Sequence, residues 1–292
     1  FSSLDSAGSM SALMRTVNIA VDKANAILAV ETLDTRGDQI TPPDHTIDIS
    51  HIRFAYGDRP VINDVSLHIP ENTTTAIVGP SGSGKTTLCT LMARFWDVSD
   101  GTITLGGSDI KDYDMDSLMA NFSFVFQNVY LFEDTVANNI RFGNPDAPMD
   151  EVIAAAKKAC CHDFIMALPQ GYDTVIGEGG ASLSGGERQR VSIARAMMKD
   201  APVVILDEAT ANVDPENEQD LVRAVEALTR NKTIIMIAHR LKTVRHADNI
   251  VVLDKGEVVQ QGTHEQLMAQ EGGNNIYKRF IDDRKEAVNW KI

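Results

Sequence analysis

No apolar run in this chain approaches the roughly 18 residues that a membrane-crossing helix needs, so no span is expected within it. The first residues, FSSLDSAGS, lack a basic segment followed by an apolar one and do not read as a signal peptide. Basic residues are in short supply, 27 Lys and Arg against 41 Asp and Glu, for a formal net charge of −14. A broad nucleic-acid surface wants a basic face, so nucleic acid is not an expected partner. The acids are spread along the chain and read as a solvated surface. Cysteine is scarce: Cys89, Cys160 and Cys161 offer no C-x-x-C spacing for metal or redox work and suit reduced thiols in a cytosolic domain. Internal repeats and low-complexity tracts are missing too. What remains is 292 residues, enough for one or two domains around a sizeable core.

Against this background residues 79–86, GPSGSGKT, stand out. They meet the pattern G-x-x-x-x-G-K-[ST] with Gly79, Gly84, Lys85 and Thr86. The preceding TTTAIV is β-branched and apolar, as in a buried strand. The following TTLCTLMARFW places Leu88, Leu91, Met92 and Phe95 at helical spacing. Strand, glycine-rich turn and helix form the context the motif requires. Glycines allow successive N–H groups to converge on phosphate oxygens, and the helix N-terminus adds partial positive charge. Gly79, Pro80, Ser81, Gly82, Ser83, Gly84, Lys85, Thr86 and Thr87 are therefore the expected ATP-binding residues, with Lys85 on the β- and γ-phosphates and Thr86 on Mg²⁺.

A second acidic feature follows downstream. Residues 203–208, VVILDE, read as a buried parallel strand ending in two carboxylates at the edge where open α/β sheets bind ligands. Asp207 is expected to hold Mg²⁺, directly or through water, and Glu208 to polarise the attacking water.

With these residues and LSGGERQR at 183–190, the chain resembles the nucleotide-binding domain of an ABC transporter, from about His45 to about Arg284. The resemblance implies an α/β fold: a P-loop, RecA-like core with an antiparallel β layer and a helical subdomain, preceded here by an N-terminal helix. It implies that Tyr56, in FAYG, stacks on adenine, and that Gln127, in FVFQNVYLF, senses Mg²⁺ and the attacking water. Ser184, Gly185, Gly186 and Glu187 match the family signature, which reaches ATP bound on a second chain. Asp214 matches a loop aspartate that communicates across that dimer, and His239 matches a histidine that contacts the γ-phosphate. The catalytic set is then Glu208, His239 and Gln127, and the metal set Thr86, Gln127 and Asp207. One departure is that residues 211–214 are Ala-Asn-Val-Asp where Ser-Ala-Leu-Asp is usual.

The organisation fits the same resemblance. Leu13, Val17, Ala20, Ala24, Ile27 and Leu28 form one face of an amphipathic helix. Residues 1–33 are expected to be the cytoplasmic end of the last helix of a membrane domain, with 34–44 as a linker, whose glycine and two prolines suit that role. Residues 45–284 form the nucleotide-binding domain, 128–200 its helical subdomain, and 285–292 a tail. The expected activity is hydrolysis of MgATP on the cytoplasmic face of a membrane. Expected partners are a second nucleotide-binding domain, in a homo- or heterodimer, and a transmembrane domain of the same polypeptide. The rival reading is a soluble ATPase of the same superfamily acting in DNA repair or translation, but those usually carry long coiled coils or two cassettes. A regulatory module without turnover is opposed by Glu208 and His239.

Overall fold

The computed structural model describes residues 2–29, 32–180, 182–207, 215–238, 244–270 and 275–289. It divides into two units, residues 1–35 and 36–292. The first holds α1 (Ser2–Leu28), whose Leu13, Val17, Ile27 and Leu28 are exposed. No described helix is long and apolar enough to cross a membrane.

The second unit opens with an antiparallel layer in the order β2-β1-β4-β5, formed by β1 (Ile47–Tyr56), β2 (Arg59–Ile69), β4 (Asp100–Leu105) and β5 (Ser108–Asp109). Alternation drives it: Ile47, Ile49, Ile52 and Phe54 of β1 are buried, while Ser50, His51 and Arg53 face solvent. Part of the stretch read as linker belongs to this unit. Asp38 donates its N–H to Asp112 O at 2.7 Å and accepts from Asp114 N at 2.8 Å. Gly37 is required at that contact, because a Cβ there would lie 2.3 Å from the Tyr113 backbone.

The central sheet runs β12-β11-β3-β10-β9-β6. Its strands are β3 (Thr74–Val78), β6 (Phe122–Val125), β9 (Val203–Asp207), β10 (Thr233–Ile237), β11 (Asn249–Asp254) and β12 (Glu257–Gly262). All neighbours pair in parallel except β11 and β12. The strands read as continuous apolar runs because both faces are covered. On one face Ala76, Val78, Val204, Leu206, Ile234 and Met236 join a helical core. On the other Ile77, Val203, Ile205, Ile235 and Ile237 join α2 (Lys85–Met92) and the antiparallel layer.

The helical side contains α4 (Val136–Arg141), α5 (Met149–Lys158), α6 (His162–Met166), α7 (Gly185–Lys199) and α8 (Pro215–Leu228). The short helix α3 (Met115–Ala120) precedes β6. The segment expected to be mostly helical, 128–200, also holds a small pair, β7 (Asp134–Thr135) with β8 (Val175–Ile176). After the sheet come α9 (His264–Ala269) and α10 (Ile276–Asn289), whose Tyr277 is fully buried in the helical core and whose Phe280 packs against that core.

The helix after the phosphate loop is shorter than its spacing predicts. It ends at Met92, and Arg94 takes a left-handed conformation (φ +55°). The Arg94 guanidinium, 3% exposed, donates to Asp97 Oδ1 at 2.9 Å and to the carbonyls of Lys111 and Tyr113 at 3.3 and 3.5 Å. This fixes the turn carrying Phe95 and Trp96. Arg94→Ala is expected to lower stability by about 2 kcal/mol, the order of a charged hydrogen-bond set lost from the interior. The urea midpoint measures it, and an unchanged midpoint would remove this role from Arg94.

Candidate nucleotide site

The register of the central sheet brings the predicted segments to one edge. Ile77 of β3 pairs with Ile237 of β10, Ile237 with Asp207 of β9, and Leu206 with Val125 of β6. The phosphate loop leaves β3, Asp207 closes β9, and Gln127 follows β6 by two residues, all at the strands' C-terminal ends. Glu208, Asp214 and His239 lie outside the described residues.

The loop turns through three glycines with positive φ: Gly79 (+150°), Gly82 (+78°) and Gly84 (+103°). They are glycine for different reasons. A Cβ on Gly79 would sit 2.0 Å from Leu253 O, and one on Gly84 would sit 2.9 Å from Ile62 Cδ1. Around Gly82 there is open space, so only the backbone conformation demands glycine there. Gly84 caps α2, and Ser83 N donates to Pro80 O at 3.3 Å. The loop is anchored from behind, where Gly256 N donates to Ser83 O at 3.1 Å. Pro80, Ser81 and Gly82 form its exposed crest, and Thr87 follows in the first turn of α2.

Lys85 is only 8% exposed, and its ammonium donates to Gly79 O at 3.1 Å and Pro80 O at 2.8 Å. A buried cation curled over a helix N-terminus is a site that favours an anion. The Ser83 hydroxyl is buried with no protein hydrogen-bond partner. These features fit a polyphosphate. The Thr86 hydroxyl donates to Asp207 Oδ2 at 3.3 Å. Two hard oxygen donors side by side fit Mg²⁺, which takes few protein ligands and keeps water or phosphate oxygens in its other positions. Among the described residues no cluster of three His, Cys, Asp or Glu offers a full metal cage. Cys89, beneath Thr86, has its thiol pushed up by burial and by the Asp207 carboxylate, so it stays neutral.

Tyr56 ends β1 and is 42% exposed, with its ring perpendicular to those of Phe54 and Trp96. Gln127 is exposed. Ser184 N-caps α7 in a reciprocal capping box: its Oγ accepts from Glu187 N at 3.3 Å, and Glu187 Oε2 accepts from Ser184 N at 2.8 Å. Glu187 therefore has a local role in holding Ser184. The Ser184 hydroxyl still has its own proton to donate. Gly185 meets nothing where a Cβ would be, and Gly186 is buried in the first turn.

Three contributors escaped the sequence reading. Gln189 Nε2 donates to Phe126 O at 3.3 Å, tying α7 to the residue before Gln127. Arg195 donates to Asn139 O at 2.9 Å and Tyr130 O at 3.2 Å and lies over the rings of Phe132 and Phe142. Burial holds its pKa down to about 10, still a cation at neutral pH. Trp96 is the third. A groove of about 570 Å³ beside Arg36, Asp38 and Lys111 contains none of the predicted site residues.

A family profile described as "ABC transporter" matches residues 62–211, about half of the sequence. The chain belongs to the ABC transporter family. It is 52% identical over 226 residues to the ATP-dependent lipid A-core flippase of Syntrophus aciditrophicus, covering 77% of this chain and 38% of that protein. It is 52% identical over 228 residues to the mycobactin import ATP-binding/permease protein IrtA of Mycobacterium tuberculosis, covering 78% and 26%. A solved bacterial Atm1-family ABC exporter with ATP bound superimposes with a TM-score of 0.80 at 39% identity, over 87% of this chain and 44% of that one. The chain thus spans about a quarter to two fifths of the length of these curated relatives. It is the ATP-binding, ATP-hydrolysing domain of this family, and the α/β fold with an antiparallel β layer and a helical side is the family's fold.

The loop geometry separates its glycines experimentally. Gly82→Ala is expected to lower stability by about 1–2 kcal/mol, the penalty of a left-handed residue with a Cβ. Gly79→Ala is expected to lower it further, because its Cβ meets a backbone oxygen. Thermal unfolding of the two variants gives the order, and the reverse order would contradict the loop described here.

Proposed function

We propose that this chain powers transport across a membrane by hydrolysing MgATP in a site shared between two such domains on the cytoplasmic face. The observation that carries it is the pairing, on one chain, of a phosphate-binding loop with a preformed second helix N-terminus at Ser184. A single molecule needs only the first for ATP. The second suits ATP held by a partner domain.

In this reading Tyr56 stacks on the base, and backbone amides of residues 81–87 with Lys85 hold the phosphates. Thr86 and Asp207, with Gln127, hold Mg²⁺, which when bound neutralises phosphate charge and polarises the scissile bond. Glu208 orients the attacking water, and His239 contacts the γ-phosphate. Ser184 and Gly185 with Gly186 of the partner domain close over the γ-phosphate, while Asp214 serves communication across the pair. Closure on ATP and opening after hydrolysis is a two-state element biased by the γ-phosphate. A transmembrane domain on the same polypeptide converts it into alternating access. Membrane-transport relatives favour this over a soluble ATPase of repair or translation. One relative is named a flippase and another an import protein at equal identity, which supports assigning direction to the membrane domain rather than to the cassette.

Glu208→Gln is expected to keep ATP binding and lose turnover by about 10²–10⁴-fold, the range for a lost general base. Steady-state turnover and nucleotide titration on both proteins measure it, and turnover within about tenfold of the parent would remove Glu208 from this role. Light scattering of Glu208→Gln is expected to reveal a dimer with MgATP and a monomer with MgADP. Ser184→Arg should abolish the dimer and leave ATP binding on the monomer. A dimer that survives Ser184→Arg would defeat the shared site.

A further inference from the structure

We infer that Trp96 is a positioning residue that orients Tyr56 and thereby sets the affinity for the base of the nucleotide. The inference rests on the reading of Tyr56 as the base platform. An exposed aromatic side chain at a strand end ordinarily samples several rotamers, and a platform that must be ordered on binding binds more weakly. Here Tyr56 is not alone. Its ring lies 4.8 Å from Phe54 at 88° and 5.4 Å from Trp96 at 87°, and Phe54 and Trp96 are themselves 6.2 Å apart. The three rings form one cluster in which Phe54 is buried and Tyr56 and Trp96 reach solvent. Neither neighbour is parallel to Tyr56, so the parallel stacking mode is left for a planar base.

The indole is itself held. It follows Phe95, which leaves in another direction to pack against Phe124 at 5.0 Å. The turn bearing both is fixed by the buried Arg94 and its bond to Asp97. That turn continues from α2, whose first residue is Lys85. One short rigid piece therefore carries the phosphate-binding ammonium at one end and the ring that steadies the base platform just beyond the other. Half-exposed tryptophan is unfavourable to leave in water without compensation, and perpendicular ring contacts supply it.

The test uses the full chain and three probes: MgATP, MgADP and Mg-tripolyphosphate, which lacks the base. Trp96→Leu is expected to weaken both nucleotides by about three- to tenfold, the worth of one aromatic pair, and to leave tripolyphosphate within about twofold. Trp96→Phe should recover most of the loss. With Trp290→Phe as background, leaving Trp96 as the sole tryptophan, its emission should change with MgATP and MgADP and stay constant with tripolyphosphate. Nucleotide affinity unchanged in Trp96→Leu but weakened in Tyr56→Ala would overturn the role of Trp96 alone. Affinity unchanged in Tyr56→Ala would overturn the platform reading itself. Equal losses for nucleotide and tripolyphosphate would mean general damage to the fold and would also overturn the inference.

Discussion

Everything at the nucleotide site depends on the parallel register of β3, β10, β9 and β6. Backbone pairing at Ile77, Ile237 and Asp207, and at Val125 with Leu206, delivers distant parts of the sequence to one edge. The side chains on the strands do not do this by themselves; they fix which face each strand shows. Alternate residues of β3, β9 and β10 enter two separate cores, so a slip of one residue would exchange the cores as well as misalign the edge. Position of the chemistry and burial of apolar surface are therefore selected together.

On that frame the charges are arranged economically. The chain carries a large negative excess, yet its phosphate loop is lined with backbone N–H groups and one buried ammonium. Local field, rather than net charge, decides which ion is welcome. On the helical side α7 plays a similar part: its N-terminus is finished by its own capping box, and its far end is held by Arg195 against Asn139 and two phenylalanine rings.

The fold and the turn of the phosphate loop are legible in the sequence because their signals are local and physical. GPSGSGKT needs its glycines for backbone reasons that any sequence reader can state, and the apolar runs of β3, β9 and β10 announce a doubly covered sheet. The helix of the phosphate loop was read too long because Phe95 continues the apolar spacing; only Arg94, turning left-handed over Asp97, ends it. The linker was read to Asp44 on its glycine and prolines, whereas residues from Arg36 onward lie in the compact unit, where Gly37 allows close approach to Tyr113. Trp96, Gln189 and Arg195 are illegible in the sequence because their roles arise from contacts to residues 40 to 65 positions away. Glu187 stands in the signature and is expected at the ligand, and the capping box shows in addition a neighbour that it holds.

The thiol under the phosphate loop has a chemical consequence. Only a thiolate attacks alkylating reagents or peroxide with useful speed. Burial raises Cys89, and it raises Cys161 to about 12; Cys160, partly accessible, is raised as well. All three sulfurs are thus held in their unreactive form at neutral pH. None of the three is therefore an activated thiol of the kind that oxidants and electrophiles attack first.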